Sequence, residues 1–243
     1  MTTENRKVSR ILGVTFLLQF VTSLSSGLLL QPALIVPDNI RETMIRIAEN
    51  AWLMRANILL DMLTALGVTL LGAILYLTLR KQGEKIALTA FGFYILEAAL
   101  LAASRSEAFS LLRMSQEYVT AGQPAYLQTM ANLALESMDF VGFTLHMLVF
   151  CLGGILFYYL LYKSGIVPRA LSLWGLITIL PLLFSTLLTI LDLQVPFILV
   201  VLGLPYVPFE FVIGVWILVK GIPETRQLYK STEEGLTANF YTP

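Results

Sequence analysis

Six long apolar stretches occupy most of the chain and decide what it can fold into. A transmembrane helix needs about 20 mostly apolar residues to cross the hydrocarbon core of a bilayer. Because a backbone in lipid must satisfy its own hydrogen bonds, each stretch should be an α-helix. The expected fold is all-α: a polytopic membrane protein whose residues 1–222 form a bundle of six transmembrane helices. The predicted spans are about 11–30, 53–79, 86–104, 140–162, 170–191 and 197–219.

The charge content supports a membrane domain. Charged residues make up only 13% of the chain, against about 25% in soluble domains. The 16 basic and 16 acidic residues balance, so no basic excess exists to bind a nucleic acid. The first stretch follows basic residues as a signal peptide would, but it exceeds the ~7–15 apolar residues of such a signal. We therefore expect this stretch to be retained as a span.

The basic residues predict the orientation, because cytoplasmic loops of membrane proteins carry an excess of Lys and Arg. With the N-terminus inside, 11 of the 16 basic residues fall on the cytoplasmic side. Six spans then return the C-terminus to the cytoplasm, where residues 223–243 form a polar tail. The cytoplasmic set comprises Arg6, Lys7, Arg10, Arg80, Lys81, Lys85, Lys163, Arg169, Lys220, Arg226 and Lys230.

The outer loops carry amphipathic helices. Apolar residues recur at helical spacing between Asn39 and Trp52, and Asp38 is the expected N-cap. Residues 106–137 have a similar pattern, with Gly122 and Pro124 as a break between two helical pieces. Helices of this kind lie in the membrane interface or cover the mouth of a bundle.

Ionisable residues inside the spans predict a site. A charge at the bilayer centre costs about 2.5–3.5 kcal/mol even on the mildest scale. Helical rise places Asp61, Glu97 and His146 about 10 Å below the outer surface and Glu210 nearer the midplane, with two arginines at the rim above them. We predict an outward-facing polar cavity for a ligand or ion, built from Arg55, Asn57, Asp61, Glu97, Arg105, His146, Tyr206 and Glu210.

Other polar residues also share helix faces, and close helix packing explains them. Gln19 lies on one face of the first span with three Ser and Thr residues, and Ser185 and Thr189 share a face of the fifth. Small and hydroxylated residues of this kind let helices approach closely. Pro205 and Pro208 are expected to kink the sixth helix beside Tyr206, either as a plain kink or as in the broken helices that line the substrate sites of many transporters.

Two alternatives to a binding site stay open. The buried charges could be a structural network of Arg–carboxylate pairs that fixes helix register in a structural or regulatory membrane component. An intramembrane enzyme would need Asp61 and Glu97 as acid and base, and the sequence does not fix their separation. No common catalytic motif occurs, so we assign no catalytic residue. One His and one Cys are too few for an ordinary zinc site, so we expect no metal or cofactor.

Five segments resemble a family of bacterial multipass membrane proteins known only as a domain of unknown function. They are residues 10–18 (RILGVTFLL), 55–76 (RANILLDMLTALGVTLLGAILY), 91–101 (FGFYILEAALL), 159–171 (YLLYKSGIVPRAL) and 208–221 (PFEFVIGVWILVKG). The resemblance implies a six-helix domain and a bacterial source, and no activity. We therefore expect a protein of the bacterial plasma membrane. Its expected partners are the lipid bilayer and a small-molecule ligand or ion. A second copy of the chain, in a homo-oligomer, is a further candidate partner.

Overall fold

A computed structural model describes residues 3–222. Within this range every regular element is helical, and six segments are long and apolar enough to cross a membrane. The prediction of an all-α protein with six spans is confirmed. The predicted polar tail, 223–243, lies outside the described residues. The six segments are Ser9–Leu34, Ala51–Gln82, Glu84–Thr120, Ala125–Ser164, Arg169–Ile190 and Phe197–Lys220, called here the first to the sixth span.

Ten α-helices build the described part of the chain, and short π- and 3-10-helical segments join some of them. The π-helical segments are Ser26–Leu30 and Phe140–Leu145, and the 3-10 segment is Arg80–Gln82. The α-helices are α1 (Thr3–Ser25), α2 (Gln31–Leu34), α3 (Ile40–Glu49), α4 (Ala51–Leu79), α5 (Glu84–Thr120), α6 (Ala125–Asp139), α7 (His146–Ser164), α8 (Arg169–Ile190), α9 (Phe197–Gly203) and α10 (Tyr206–Lys220).

The six spans form a closed ring in chain order. Each span packs on the next one, and α10 of the sixth span returns to pack on α1 of the first. Glycine makes this closure tight, since a Cβ on Gly13 would lie 2.7 Å from the backbone nitrogen of Leu218. The Ile222 amide also donates to Ser9 Oγ at 2.8 Å. The first and the sixth spans are therefore held together directly.

The amphipathic helix predicted after the first span is α3, and its cap differs from the prediction. Asn39 is the N-cap, and its Oδ1 accepts a hydrogen bond from the Glu42 amide at 3.0 Å. The prediction that Asp38 caps this helix was wrong, because Asp38 has a left-handed backbone (φ 56°) in the preceding turn. Met44 and Ile47 of α3 are fully buried, as the amphipathic pattern requires.

The two helical pieces predicted in residues 106–137 are extensions of the third and fourth spans. Helix α5 has 37 residues, which is about 55 Å of helix against a hydrocarbon core of about 30 Å. It ends at Thr120, and a tight turn through Gly122 (φ 79°) leads to α6. The end of α5, α6 and α3 share an apolar core. This helical cap covers one end of the bundle.

Four of the six spans contain an irregularity in their helices. The π-helical segments Ser26–Leu30 and Phe140–Leu145 interrupt the first and fourth spans. A turn at Leu204 and Pro205 breaks the sixth span between α9 and α10, and Trp174 Nε1 donates to the Pro205 carbonyl at 3.1 Å. Pro181 lies inside α8. Such interruptions often mark functional sites.

Candidate ligand cavity

The buried polar residues nearest the helical cap, called here the outer layer, include an ion pair enclosed by protein. Arg105 Nη1 on α5 donates a charge-assisted hydrogen bond to Asp61 Oδ2 on α4, and both side chains are buried. Arg105 Nη2 also donates to Ser104 Oγ at 2.8 Å. Gly142 packs so closely on this group that a Cβ there would lie 2.7 Å from Arg105 Nη2. The guanidinium is therefore held from several sides.

A second pair extends this outer layer toward the first span. Asn57 Nδ2 donates to Ser26 Oγ at 2.8 Å, and both side chains are buried. Ser26 begins the π-helical segment of the first span. The outer layer thus connects the first three spans, and none of its buried side-chain nitrogen or oxygen atoms lacks a hydrogen-bond partner. This is expected of a packing network.

A deeper layer contains a second carboxylate with a different partner. Glu97 Oε1 lies 3.4 Å from His146 Nε2, and Glu97 is 1% exposed. Glu97 and Arg105 are eight residues apart on α5, which separates them by about 12 Å along the helix axis. Arg105 therefore pairs with Asp61 in the outer layer, and Glu97 relies on His146.

The third carboxylate is held by a tyrosine at the break in the sixth span. Tyr206 is the first residue of α10, and its hydroxyl donates to Glu210 Oε1 at 3.1 Å. Since that proton is used, the buried Tyr158 hydroxyl donates in turn to the Tyr206 oxygen. Tyr206 thus joins the fourth span to Glu210.

Aromatic rings connect the two deeper groups. The Phe150 ring lies parallel to the His146 ring with centroids 6.4 Å apart. It also packs edge to face on Tyr206, with centroids 5.4 Å apart and ring planes at 89°. Glu97, His146, Phe150, Tyr206 and Glu210 therefore form one continuous cluster.

This cluster lies on the wall of a cavity of about 560 Å³. All six spans contribute to the wall, which also includes Val195 from the connection between the fifth and sixth spans. Several lining residues are exposed, among them Leu28, Phe143 and Leu204, so the cavity is open to the surroundings. The polar lining consists of Gln19, Ser23, Thr64, Glu97, His146, Ser185, Thr189, Tyr206 and Glu210.

Several buried polar atoms on this wall have no protein partner. Across residues 3–222, five buried side-chain nitrogen or oxygen atoms make no hydrogen bond, and four of them belong to lining residues. Unpartnered buried polar atoms are uncommon in folded proteins and call for an explanation. The four atoms are Gln19 Oε1, Glu97 Oε2, His146 Nδ1 and Ser185 Oγ.

The comparison with known families fits this architecture. A family described as "Domain of unknown function (DUF4386)" matches residues 11–221. The chain belongs to this family. The match extends over all six spans and confirms the resemblance seen in the sequence. Searches among curated proteins and among solved structures found no match.

The eight predicted site residues lie in three different places in this DUF4386 domain. Glu97, His146, Tyr206 and Glu210 line the cavity. Asn57, Asp61 and Arg105 belong to the outer layer and do not line it, and Arg55 is exposed. Whether the four lining residues bind a ligand remains a prediction.

Other residues of the DUF4386 cavity were not in the predicted set. Gln19 and Ser185 lie on the polar faces that we attributed to helix packing, so the sequence carried a signal for them. The aromatic residues Phe20, Phe143 and Phe150 also line the cavity, and no sequence signal distinguishes them from lipid-facing residues. In the described part of the chain, no group of three or more His, Cys, Asp or Glu side chains could hold a metal ion.

Proposed function

We propose that this protein binds a small molecule in the cavity between its six spans. The four buried polar atoms without partners on the cavity wall carry the proposal. Leaving a buried donor or acceptor unpaired costs about 1–3 kcal/mol, so a bound molecule that pairs with several of them would be stabilised. The volume of about 560 Å³ lies within the usual range for small-molecule sites, about 300–1,000 Å³.

The orientation proposed for the cavity is outward, in a bacterial plasma membrane. The cavity lies in the half of the bundle that contains the connection between the fifth and sixth spans. The distribution of Lys and Arg favours placing this connection outside and both termini in the cytoplasm. The bacterial source rests on the resemblance described above.

The contrast between the two polar layers argues against a purely structural role for the whole set. The Asp61–Arg105 pair is enclosed and paired, as expected of a group that fixes helix packing. The deeper layer leaves Glu97 Oε2 and His146 Nδ1 unpaired. A structural network would pair these atoms too, because half-satisfied polar networks are costly.

Transport is the second candidate, and the break in the sixth span favours it. Broken helices line the substrate sites of many transporters, and the residues flanking this break, Gly203 and Tyr206, line the cavity. Uptake of a bound compound into proteoliposomes, compared with empty liposomes, would separate a transporter from a binding protein.

The binding proposal is tested by thermal unfolding of the purified full chain in detergent, against a panel of amines, carboxylates, sugars and aromatic heterocycles. A compound that binds only the folded state raises the melting temperature. Ser185→Trp would place an indole ring inside the cavity and reduce its free volume, whereas Ile177→Trp adds the same ring to an exposed position of α8. We expect at least one compound to stabilise the wild type and Ile177→Trp, but not Ser185→Trp. Absence of any shift, or an equal shift in Ser185→Trp, would contradict the proposal.

A further inference from the structure

The charges on the cavity wall are acidic. Glu97 and Glu210 line the cavity, His146 is the only lining residue that can carry a positive charge, and no Lys or Arg from residues 3–222 lines it. Arg105 is engaged by Asp61. Glu97 Oε2 and Gln19 Oε1 are acceptors without a donor. A molecule matching this wall therefore donates hydrogen bonds and carries positive charge, which a cationic N–H group does at once.

Aromatic rings on the wall favour the same chemistry. Phe20, Phe143, Phe150 and Tyr206 all line the cavity. Phe150 and Tyr206 are perpendicular to each other, so they form two walls of one corner. Cations bind to the faces of such rings within about 6 Å of the ring centroid, and aromatic cages recognise ammonium groups in this way.

The residues at the mouth of the cavity indicate that the remaining part of the ligand is apolar. Leu204 and Val207 line the cavity and are 61% and 43% exposed. They follow the start of α9 by seven and ten residues, which places them about 10–15 Å along the span from its outer end. At that depth the surroundings are hydrocarbon. A bare metal ion or a fully polar solute would leave this apolar wall unmatched.

We infer that the ligand is a hydrophobic organic cation, with its N–H-donating cationic group near Glu97 and an aromatic or alkyl body toward Leu204. This inference rests on the proposed function, because it names the ligand class for the same cavity. Glu97 accepts from the head, the Phe150–Tyr206 corner contacts the cation, and the body reaches the lipid-facing mouth. Access from the bilayer follows from the position of that mouth.

Three probes of similar ring size and different charge test the inference. They are 9-aminoacridine, which is cationic at neutral pH and donates N–H bonds, neutral acridine, and anionic anthracene-9-carboxylate. Binding is measured by fluorescence to the full chain in nanodiscs of zwitterionic lipid, with empty nanodiscs subtracted. We expect saturable binding of 9-aminoacridine, about tenfold or more tighter than either analogue, since a charge-assisted hydrogen bond is worth at least that factor.

Matched variants locate the binding. Glu97→Gln should weaken 9-aminoacridine about tenfold or more, while Glu117→Gln, an exposed carboxylate on the same helix, should leave it unchanged. Ser185→Trp should abolish it. If Glu97→Gln does not fold, Glu210→Gln replaces it, and the comparison of the three probes on the wild type still tests the charge of the ligand.

The outcomes separate this inference from the proposed function. Equal or tighter binding of acridine or anthracene-9-carboxylate that Ser185→Trp abolishes would overturn the cationic ligand and leave a binding cavity. No binding of any of the three probes, or 9-aminoacridine binding that survives both Ser185→Trp and Glu97→Gln, would also overturn it. The proposed function itself fails only if the wider panel of compounds produces no cavity-dependent stabilisation.

Discussion

Arg105 on the third span donates to Asp61 on the second span, and neither residue lines the cavity a few turns deeper. This closed ion pair is therefore kept apart from the open cluster around Glu97. The pair carries opposite charges in a buried site, so its contribution to stability depends on both partners being present.

Removing one partner of this pair should destabilise the protein strongly. Asp61→Leu or Arg105→Met alone leaves an uncompensated buried charge, and we expect each to lower the free energy of unfolding by about 3–5 kcal/mol. The double variant removes both charges and should recover most of that loss. Reversible unfolding in mixed micelles measures all four proteins of the cycle. Additive losses in the double variant would show that the two residues act independently.

Close packing at Gly142 should make this position intolerant of any side chain. An added Cβ would lie 2.3 Å from Ser104 Oγ and 2.7 Å from Arg105 Nη2. We expect Gly142→Ala to lower the free energy of unfolding by about 1–3 kcal/mol, the usual cost of overpacking. Gly92→Ala is the control, because a Cβ there meets nothing within 4 Å and alanine favours helix by about 0.5–1 kcal/mol. A neutral Gly142→Ala would mean that the guanidinium moves away freely.

The orientation can be tested with single cysteines in a Cys151→Ala background, since Cys151 is the chain's only cysteine. Ala121→Cys lies in the exposed turn after the third span, and Lys81→Cys lies in the exposed connection before it. With the N-terminus in the cytoplasm, a membrane-impermeant maleimide should label Ala121→Cys in intact cells. Lys81→Cys should react only after permeabilisation. The reverse pattern would place the cavity on the cytoplasmic side.

The six spans could be predicted from sequence because the length of an apolar stretch is enough to identify a transmembrane helix, whatever it packs against. The position of Arg105 could not. We expected a span ending at 104 and an arginine at its rim, but α5 continues to Thr120 and the helical cap covers the next turns. Arg105 is consequently 5% exposed. A charged residue at the end of an apolar run looks the same whether the helix stops or continues.

The polar half of the cavity was partly predictable and the aromatic half was not. Glu97, His146, Tyr206 and Glu210 stand out because polar groups are costly in a membrane. Phe150 and Phe143 do not, since phenylalanine suits lipid and protein interior equally. Phe143 lies in the π-helical segment of the fourth span and Phe150 in the α-helix that follows it, and only the packed structure shows that both line the cavity.

The break at Leu204 and Pro205 gives the two pieces of the sixth span different neighbours. Helix α9 packs on α8, whereas α10 packs on both α1 and α8. Tilting α9 about the turn would displace Leu204 at the rim, while Tyr206 and Glu210 on α10 keep their hydrogen bond. A rim residue and two polar residues of the cavity wall are thus carried on different sides of one break in the backbone.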